Sequence, residues 1–188
     1  MTYKEVKNYI RSDYYRITGN KNASICKMAM LTFYDIGFRF LFWFRIAQIN
    51  NKVIRIVSKI VTKHIGLKHH IDIQSSTMIG YGFKINHGGP VVINSSATIG
   101  NNVEICQNST IGSLYHNAAT IGNDVYIGPS VCIVENVKIG NGATIGAGGV
   151  VVKDIAEGDT VAGNPAKPIS KKEPGRLIWR KWNTAWNK

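Results

Sequence analysis

Residues 119–146 read ATIGNDVYIGPSVCIVENVKIGNGATIG, with Ile121, Ile127, Ile133, Ile139 and Ile145 spaced six apart. The same spacing reaches back through Ile111, Ile105, Ile99, Ile93, Ile85, Ile79 and Ile73, and forward to Val151. Gly follows the branched residue at Gly80, Gly100, Gly112, Gly122, Gly128, Gly140 and Gly146. A six-residue period matches neither the 3.6 spacing of a helix face nor the alternation of an isolated strand; a fixed short period marks a stacked solenoid. The pattern predicts a mainly β prism in which each hexapeptide makes one short strand and one corner. The branched residue points to the axis, and the Gly after it lets the backbone turn without a Cβ clash.

Two interruptions break the period, and each carries a histidine. Ile85 to Ile93 is eight residues around Asn86-His87-Gly88-Gly89-Pro90, and Ile111 to Ile121 is ten around Ser113-Leu114-Tyr115-His116-Asn117. Inserted residues have no room in a solenoid core and leave as loops, where repeat proteins place binding and chemistry.

The flanks divide the chain into three parts: residues 1–70 as a helical cap, serving oligomerisation or lying close to a membrane, 71–169 as the β-helix domain, and 170–188 as a basic tail. Ile36 to Gln48 is apolar and aromatic, but Arg39 and Arg45 interrupt it well short of the roughly 20 residues that a spanning helix needs. The preferred reading is a helix packed over the open end of the first coil, which a solenoid must cap; the other is a basic aromatic helix at headgroup level, a peripheral membrane contact. Val53 to Ile65 continues the same cap, and Arg176 to Trp182 reads as a short basic amphipathic helix.

The net charge of +12 is unevenly spread: 13 Lys/Arg against 3 Asp/Glu in residues 1–70, 3 against 7 in 71–164, and 7 against 1 in 165–188. Basic flanks suit solvent or anionic partners such as cofactor phosphates, a phosphorylated substrate or an anionic membrane. Nucleic acid is not expected, because no recognised nucleic-acid motif accompanies the charge. Cys26, Cys106 and Cys132 form no CxxC pair and no metal-site spacing with His, so neither a disulfide framework nor a metal is expected. Together with an N-terminus that lacks a signal-peptide apolar region, this points to the cytoplasm, including the inner face of the membrane.

The hexapeptide repeat, the segment Ile85-Asn-His-Gly-Gly-Pro-Val-Val-Ile-Asn94, and the ending Ala143-Thr-Ile-Gly-Ala-Gly-Gly-Val-Val-Val152 with Ala162-Gly-Asn-Pro-Ala-Lys-Pro168 resemble the left-handed parallel β-helix acyltransferases. The branch they are most similar to holds the serine acetyltransferases and the related bacterial polysaccharide O-acetyltransferases. The resemblance is strong over residues 71–169 and weak over the N-terminal helices. It implies a homotrimer, alone or paired as a dimer of trimers, with acetyl-CoA in the cleft between neighbouring prisms.

The resemblance also assigns residues. His87 matches the catalytic histidine, a base for an acceptor hydroxyl that is a poor nucleophile at neutral pH. Asp72, fifteen residues earlier and a little short of one turn of the prism, matches the Asp that orients it. His116 aligns with the second histidine, on a shorter loop. Gly112 and Ser113 fall where the family has its oxyanion donor. For the donor, Gly128, Gly146, Ala147 and Gly148 are small enough to let a pantetheine arm lie against the prism, and Lys153 and Lys167 are placed for the phosphates or adenine of CoA.

The acceptor positions depart from the serine branch. That branch has an Asp immediately before the base and an Arg before the second histidine; here these are Asn86 and Tyr115, and a third acidic position falls near Asn22. Unpaired buried charges are costly, so three neutral positions suit a sugar hydroxyl better than a zwitterion. The residues by themselves therefore favour acetyl transfer to a sugar of a bacterial surface polysaccharide or its precursor, with serine O-acetylation in cysteine biosynthesis as the alternative. β-Helix zinc carbonic anhydrases need three histidine ligands, and the repeat region carries only His87 and His116; a non-catalytic assembly subunit would leave the Asp72/His87 pair unexplained.

Overall fold

In a computed structural model, which describes residues 1–115, 117–171 and 173–187, the chain is a helical cap followed by a three-sided prism. The cap holds α1 (Tyr3–Thr18), α2 (Ile25–Leu31), α3 (Ile36–Ile46) and α4 (Lys52–His69). Short polar side chains start each helix: Thr2 forms a capping box with Glu5, and Ser24, Asp35 and Asn51 each accept from a backbone N–H of the first turn.

The prism strands follow in order: β1 (Ile71–Ile73), β2 (Met78–Ile79), β3 (Lys84–Ile85), β4 (Val91–Ile93), β5 (Thr98–Ile99), β6 (Glu104–Ile105), β7 (Ser109–Gly112), β8 (Thr120–Ile121), β9 (Tyr126–Ile127), β10 (Cys132–Val134), β11 (Lys138–Ile139), β12 (Thr144–Ile145), β13 (Val150–Val151), β14 (Asp159–Ala162) and β15 (Lys167–Lys171). They sort by threes. Sheet A runs β1-β4-β7-β10-β13, sheet B β2-β5-β8-β11, and sheet C β3-β6-β9-β12-β14-β15; all neighbours are parallel except β14 and β15.

The register shows why isoleucine recurs. Ile73 pairs with Ile93, Ile93 with Ile111, Ile111 with Ile133 and Ile133 with Val151, so successive coils advance by 20, 18, 22 and 18 residues. The regular coil is three hexapeptides. The surplus in the first and third coils is the two histidine-bearing insertions, which bulge outward while the isoleucines stay in column. These columns are buried throughout and form one core. Phe40, Leu41, Phe44 and Ile65 of the cap join that core and seal its open end. The seal is close at Gly37, where a Cβ would lie 2.4 Å from the Ile85 carbonyl oxygen.

Two buried ion pairs lock α1 and α3 onto the first coils. Arg45 is 0% exposed and Asp13 1%; Arg45 Nε donates to Asp13 Oδ2 at 2.8 Å and Nη2 to Oδ1 at 3.2 Å. The same guanidinium donates to the carbonyls of Ile79 and Gly80, and Asp13 accepts from the Phe83 N–H. Burial pushes the Asp13 carboxyl up from its ordinary value, against the pull of Arg45. Arg16 in turn donates to Glu104 at 2.6 Å and to the carbonyls of Gly82 and Asn102.

One expectation is corrected. The Arg176–Trp182 segment is not a helix: turns at Pro174–Leu177 lead into an extended run along the edge between sheets B and C, and only Thr184–Asn187 forms a 3₁₀ turn. Specific edge contacts dictate this course. The Gly175 N–H donates to the Gly142 carbonyl, the Trp182 N–H to Asn102 Oδ1 at 2.7 Å, and Lys181 pairs with Asp124. α4 packs Ile65 into the prism core, with Val61 and Ile54 against the buried clusters, and shows a second apolar stripe to the outside. Its buried residues are Ser58, Thr62, Ile65 and Gly66, while Val53, Ile56, Val57 and Ile60 are exposed. A close approach to Ile71, whose carbonyl oxygen lies 2.5 Å from where a Gly66 Cβ would be, requires the small side of the helix to face the prism. No helix among the described residues is long and apolar enough to cross a membrane.

Candidate active site

His87 stands on the corner between sheets C and A. Its φ is 60°, and Gly88 and Gly89 follow at 71° and 105°, three consecutive residues in the left-handed region. The glycines are required sterically as well. A Cβ on Gly88 would lie 2.7 Å from Ile36 Cβ, and one on Gly89 2.7 Å from the His69 carbonyl oxygen. The expanded corner is thus pressed against the cap from behind, and the imidazole is exposed on the front.

The corners above it stack in register. The N–H groups of Asn86, Cys106, Gly128 and Gly146 donate to the carbonyls of Ile105, Ile127, Ile145 and Val161 one coil further on. His87 therefore shares an edge with Gly128, Gly146, Ala147 and Gly148, three coils or roughly 14 Å apart from first to last. Gly128 is closed in, with a hypothetical Cβ 2.8 Å from the Ile145 carbonyl oxygen, whereas one on Gly148 would meet nothing within 4 Å. Lys167 pairs with Ala162 at the top of the same edge, and its side chain is exposed.

The remaining candidates lie across sheet A. Gly112 ends β7, and Ser113, Tyr115 and Lys153 sit on the corner between sheets A and B. At about 3.3 Å per residue, a three-residue strand puts roughly 10 Å between the two edges. Ser113 organises its loop: Oγ donates to Glu135 and accepts from the N–H groups of Tyr115 and Asn117, and its carbonyl accepts from Asn94. Glu135 also accepts from the Leu114 N–H. The Ser113 N–H has no partner among the described residues, which leaves it free to meet an oxyanion. Tyr115 is exposed, and His116 lies outside the described residues.

Asp72 faces outward from β1, paired in the ladder with Val92, and makes no hydrogen bond or ion pair to His87 among the described residues. It shares shallow hollows with Lys59, Lys63 and His70. Asn86 is not free either: Nδ2 donates to Glu104 Oε1 at 2.6 Å, so it belongs to a cluster with Arg16 and Lys84, beside Cys106 and Tyr126. Burial and the Cys106 contact push the Tyr126 hydroxyl up from its ordinary value. Arg16, Lys84, Glu104 and Tyr126 of this cluster line a half-open cavity of about 400 Å³ bordered by Trp179 and Arg180 of the tail. Lys84 and Glu104 are one coil apart in the hexapeptide pattern and could have been paired from spacing; Arg16, 88 residues away from Glu104, gave no such signal. Among the described residues no three His, Cys, Asp or Glu side chains converge as a metal site.

The family model for the bacterial transferase hexapeptide (six repeats) matches residues 118–153. The coils over these residues are therefore hexapeptide-repeat coils of the bacterial transferase type. This hexapeptide prism is 41% identical over 103 residues to serine acetyltransferase 4 of Arabidopsis thaliana, covering 53% of this chain and 29% of that one. It is 29% identical over 156 residues to serine acetyltransferase of Escherichia coli K12, covering 80% of this chain and 57% of that one. In three dimensions it resembles the serine acetyltransferase of Neisseria gonorrhoeae solved in complex with serine, with a TM-score of 0.72 and 28% identity, over 87% of this chain and 69% of that one. The likeness takes in the helical cap as well as the coils. The chain spans only part of the length of each of these relatives.

Proposed function

We propose that the chain is an acetyl-CoA-dependent O-acetyltransferase whose acceptor is the hydroxyl of serine. The observation that carries this reading is the likeness to serine acetyltransferases over cap and prism together. In the proposed reaction His87 takes the proton of the acceptor hydroxyl as its oxygen attacks the thioester carbonyl. Asp72 turns toward the imidazole and balances its charge; such contacts often tighten only when substrate is bound. The Ser113 N–H receives the negative charge on the carbonyl oxygen, and His87 returns the proton to the departing CoA sulfur. A base in this role is typically worth about 10²–10⁴ in rate.

The two groups of residues lie on opposite edges of sheet A, so one complete site combines the His87 edge of one protomer with the Ser113 loop of the next. That is the arrangement of a trimer built around sheet A. Beyond Asp72 in β1, the outward positions of this sheet, Val92, Thr110, Cys132 and Val150, are small and largely apolar, which suits such a face. The donor would lie along the Gly128–Gly148 edge, with Lys167 from the same protomer and Lys153 from the neighbour near its phosphates, as complementary charge.

A sugar hydroxyl remains the second reading, because Asn86 and Tyr115 are neutral and Asn86 is already committed to Glu104. The likeness to serine acetyltransferases is the support for putting serine ahead of the sugar favoured by the three neutral positions Asn86, Tyr115 and Asn22. The test is thiol release from acetyl-CoA with L-serine beside a panel of nucleotide sugars and oligosaccharides, with His87→Ala as the blank. His87-dependent turnover with serine supports the first reading; turnover only with a glycan replaces it by the second.

A further inference from the structure

The α4 helix carries apolar side chains on two faces. Its packed side holds Ser58, Thr62, Ile65 and Gly66, with Ile54 and Val61 against the buried clusters, and its solvent side carries Val53, Ile56, Val57, Ile60 and Leu67, which are 71%, 49%, 52%, 65% and 67% exposed. Spacings of three, four and seven residues put these five on one stripe along the helix. Lys52, Lys59 and Lys63 run along one border of the stripe, Arg55 and Lys68 add further cations, and the helix contains no acidic residue. Exposed apolar stripes of this continuity mark interaction sites.

From this arrangement we infer that α4 is an in-plane docking helix for an anionic membrane surface. The aliphatic stripe enters the boundary between headgroups and acyl chains, and the bordering lysines meet anionic headgroups. Charge argues against two α4 helices packing face to face, which would bring their lysine borders together with no carboxylate on either helix to pair them; Leu67, in the hollow it shares with Asp72 and Val92, borders the sheet A face proposed for assembly. The opposite face stays packed on α3 and β1, so the helix lies on the membrane and does not span it. Docking in this way sets the His87 corner, which packs against His69 at the end of α4, beside the surface.

The test is co-sedimentation of the full chain with vesicles of phosphatidylcholine containing about one third phosphatidylglycerol, beside vesicles of phosphatidylcholine alone. The expected result is binding to the anionic vesicles that weakens as salt is raised from about 0.1 to 0.5 M. Replacing Ile56→Ser and Ile60→Ser together lowers partitioning about tenfold or more. Replacing Lys52→Gln, Lys59→Gln and Lys63→Gln lowers it by roughly 10². All five side chains are exposed, so melting temperatures hold, and the lysine set serves alone if the isoleucine pair does not fold. No binding to anionic vesicles, or binding indifferent to both sets, overturns the inference. So does a loss of oligomer mass in the isoleucine variant without vesicles, which would make a second copy the occupant.

Discussion

Arg45 and Asp13 meet through two hydrogen bonds of 2.8 and 3.2 Å with both side chains sealed from solvent, and the pair ties α1 and α3 to the carbonyls of Ile79 and Gly80 at the first turn of the prism. Removing one partner leaves the other charge buried and uncompensated. Arg45→Met should therefore cost about 3–5 kcal/mol, whereas Arg45→Met combined with Asp13→Leu should recover most of that loss. Urea unfolding of the two single variants and the double variant measures the coupling; additive costs would show that the pair is not a unit.

His87 is exposed, and Ala at its left-handed φ of 60° replaces one non-glycine residue by another, so His87→Ala should change the melting temperature little while lowering kcat about 10²–10⁴-fold. Asp72→Asn should lower kcat less, and adding it to His87→Ala should change nothing more, because an orienting group acts only through the base. An undiminished effect of Asp72→Asn in the His87→Ala background would separate the two.

Gly128 and Gly148 test the donor edge in opposite ways. An Ala at 148 places its Cβ in open space, and its left-handed φ of 69° costs roughly 1 kcal/mol. A rise in KM for acetyl-CoA in Gly148→Ala larger than its stability loss therefore reports a ligand lying there. Gly128→Ala forces a Cβ against the Ile145 carbonyl and should act mainly on stability, read as a lowered melting temperature.

Assembly around sheet A is tested at Val92, which faces outward and is 40% exposed in the single chain. Val92→Arg should leave the prism folded by circular dichroism, reduce the mass measured by light scattering, and abolish activity in the same step. Retained mass with retained activity would mean that sheet A is not the shared face.

How much of this was legible depends on the range of the interaction. The hexapeptide period specified the prism and its inward columns because each repeat contacts only its neighbours, so a local pattern is a sufficient code. The same counting located both insertions, while the stacking of the Asn86, Gly128 and Gly146 corners came from the hydrogen-bond register. What it could not reach were pairings with no period. Arg16 with Glu104 and Arg45 with Asp13 join residues 88 and 32 apart on different elements, and Asn86, read from sequence as an acceptor contact, is held by the first of these pairs.

The sequence by itself determined the coil, its core and the two places where the period breaks, since burial of a branched side chain every sixth residue calls for a stacked arrangement. The tertiary structure alone decided that the Ser113 loop and the His87 corner occupy opposite edges of sheet A, that the tail runs extended along the prism, and that α4 shows a second apolar stripe to the outside. Hydrophobic periodicity gives a helix an apolar face; only the space left by the partner helix and the first coil, too narrow at Gly66 for a larger side chain, settles which side of α4 packs inward.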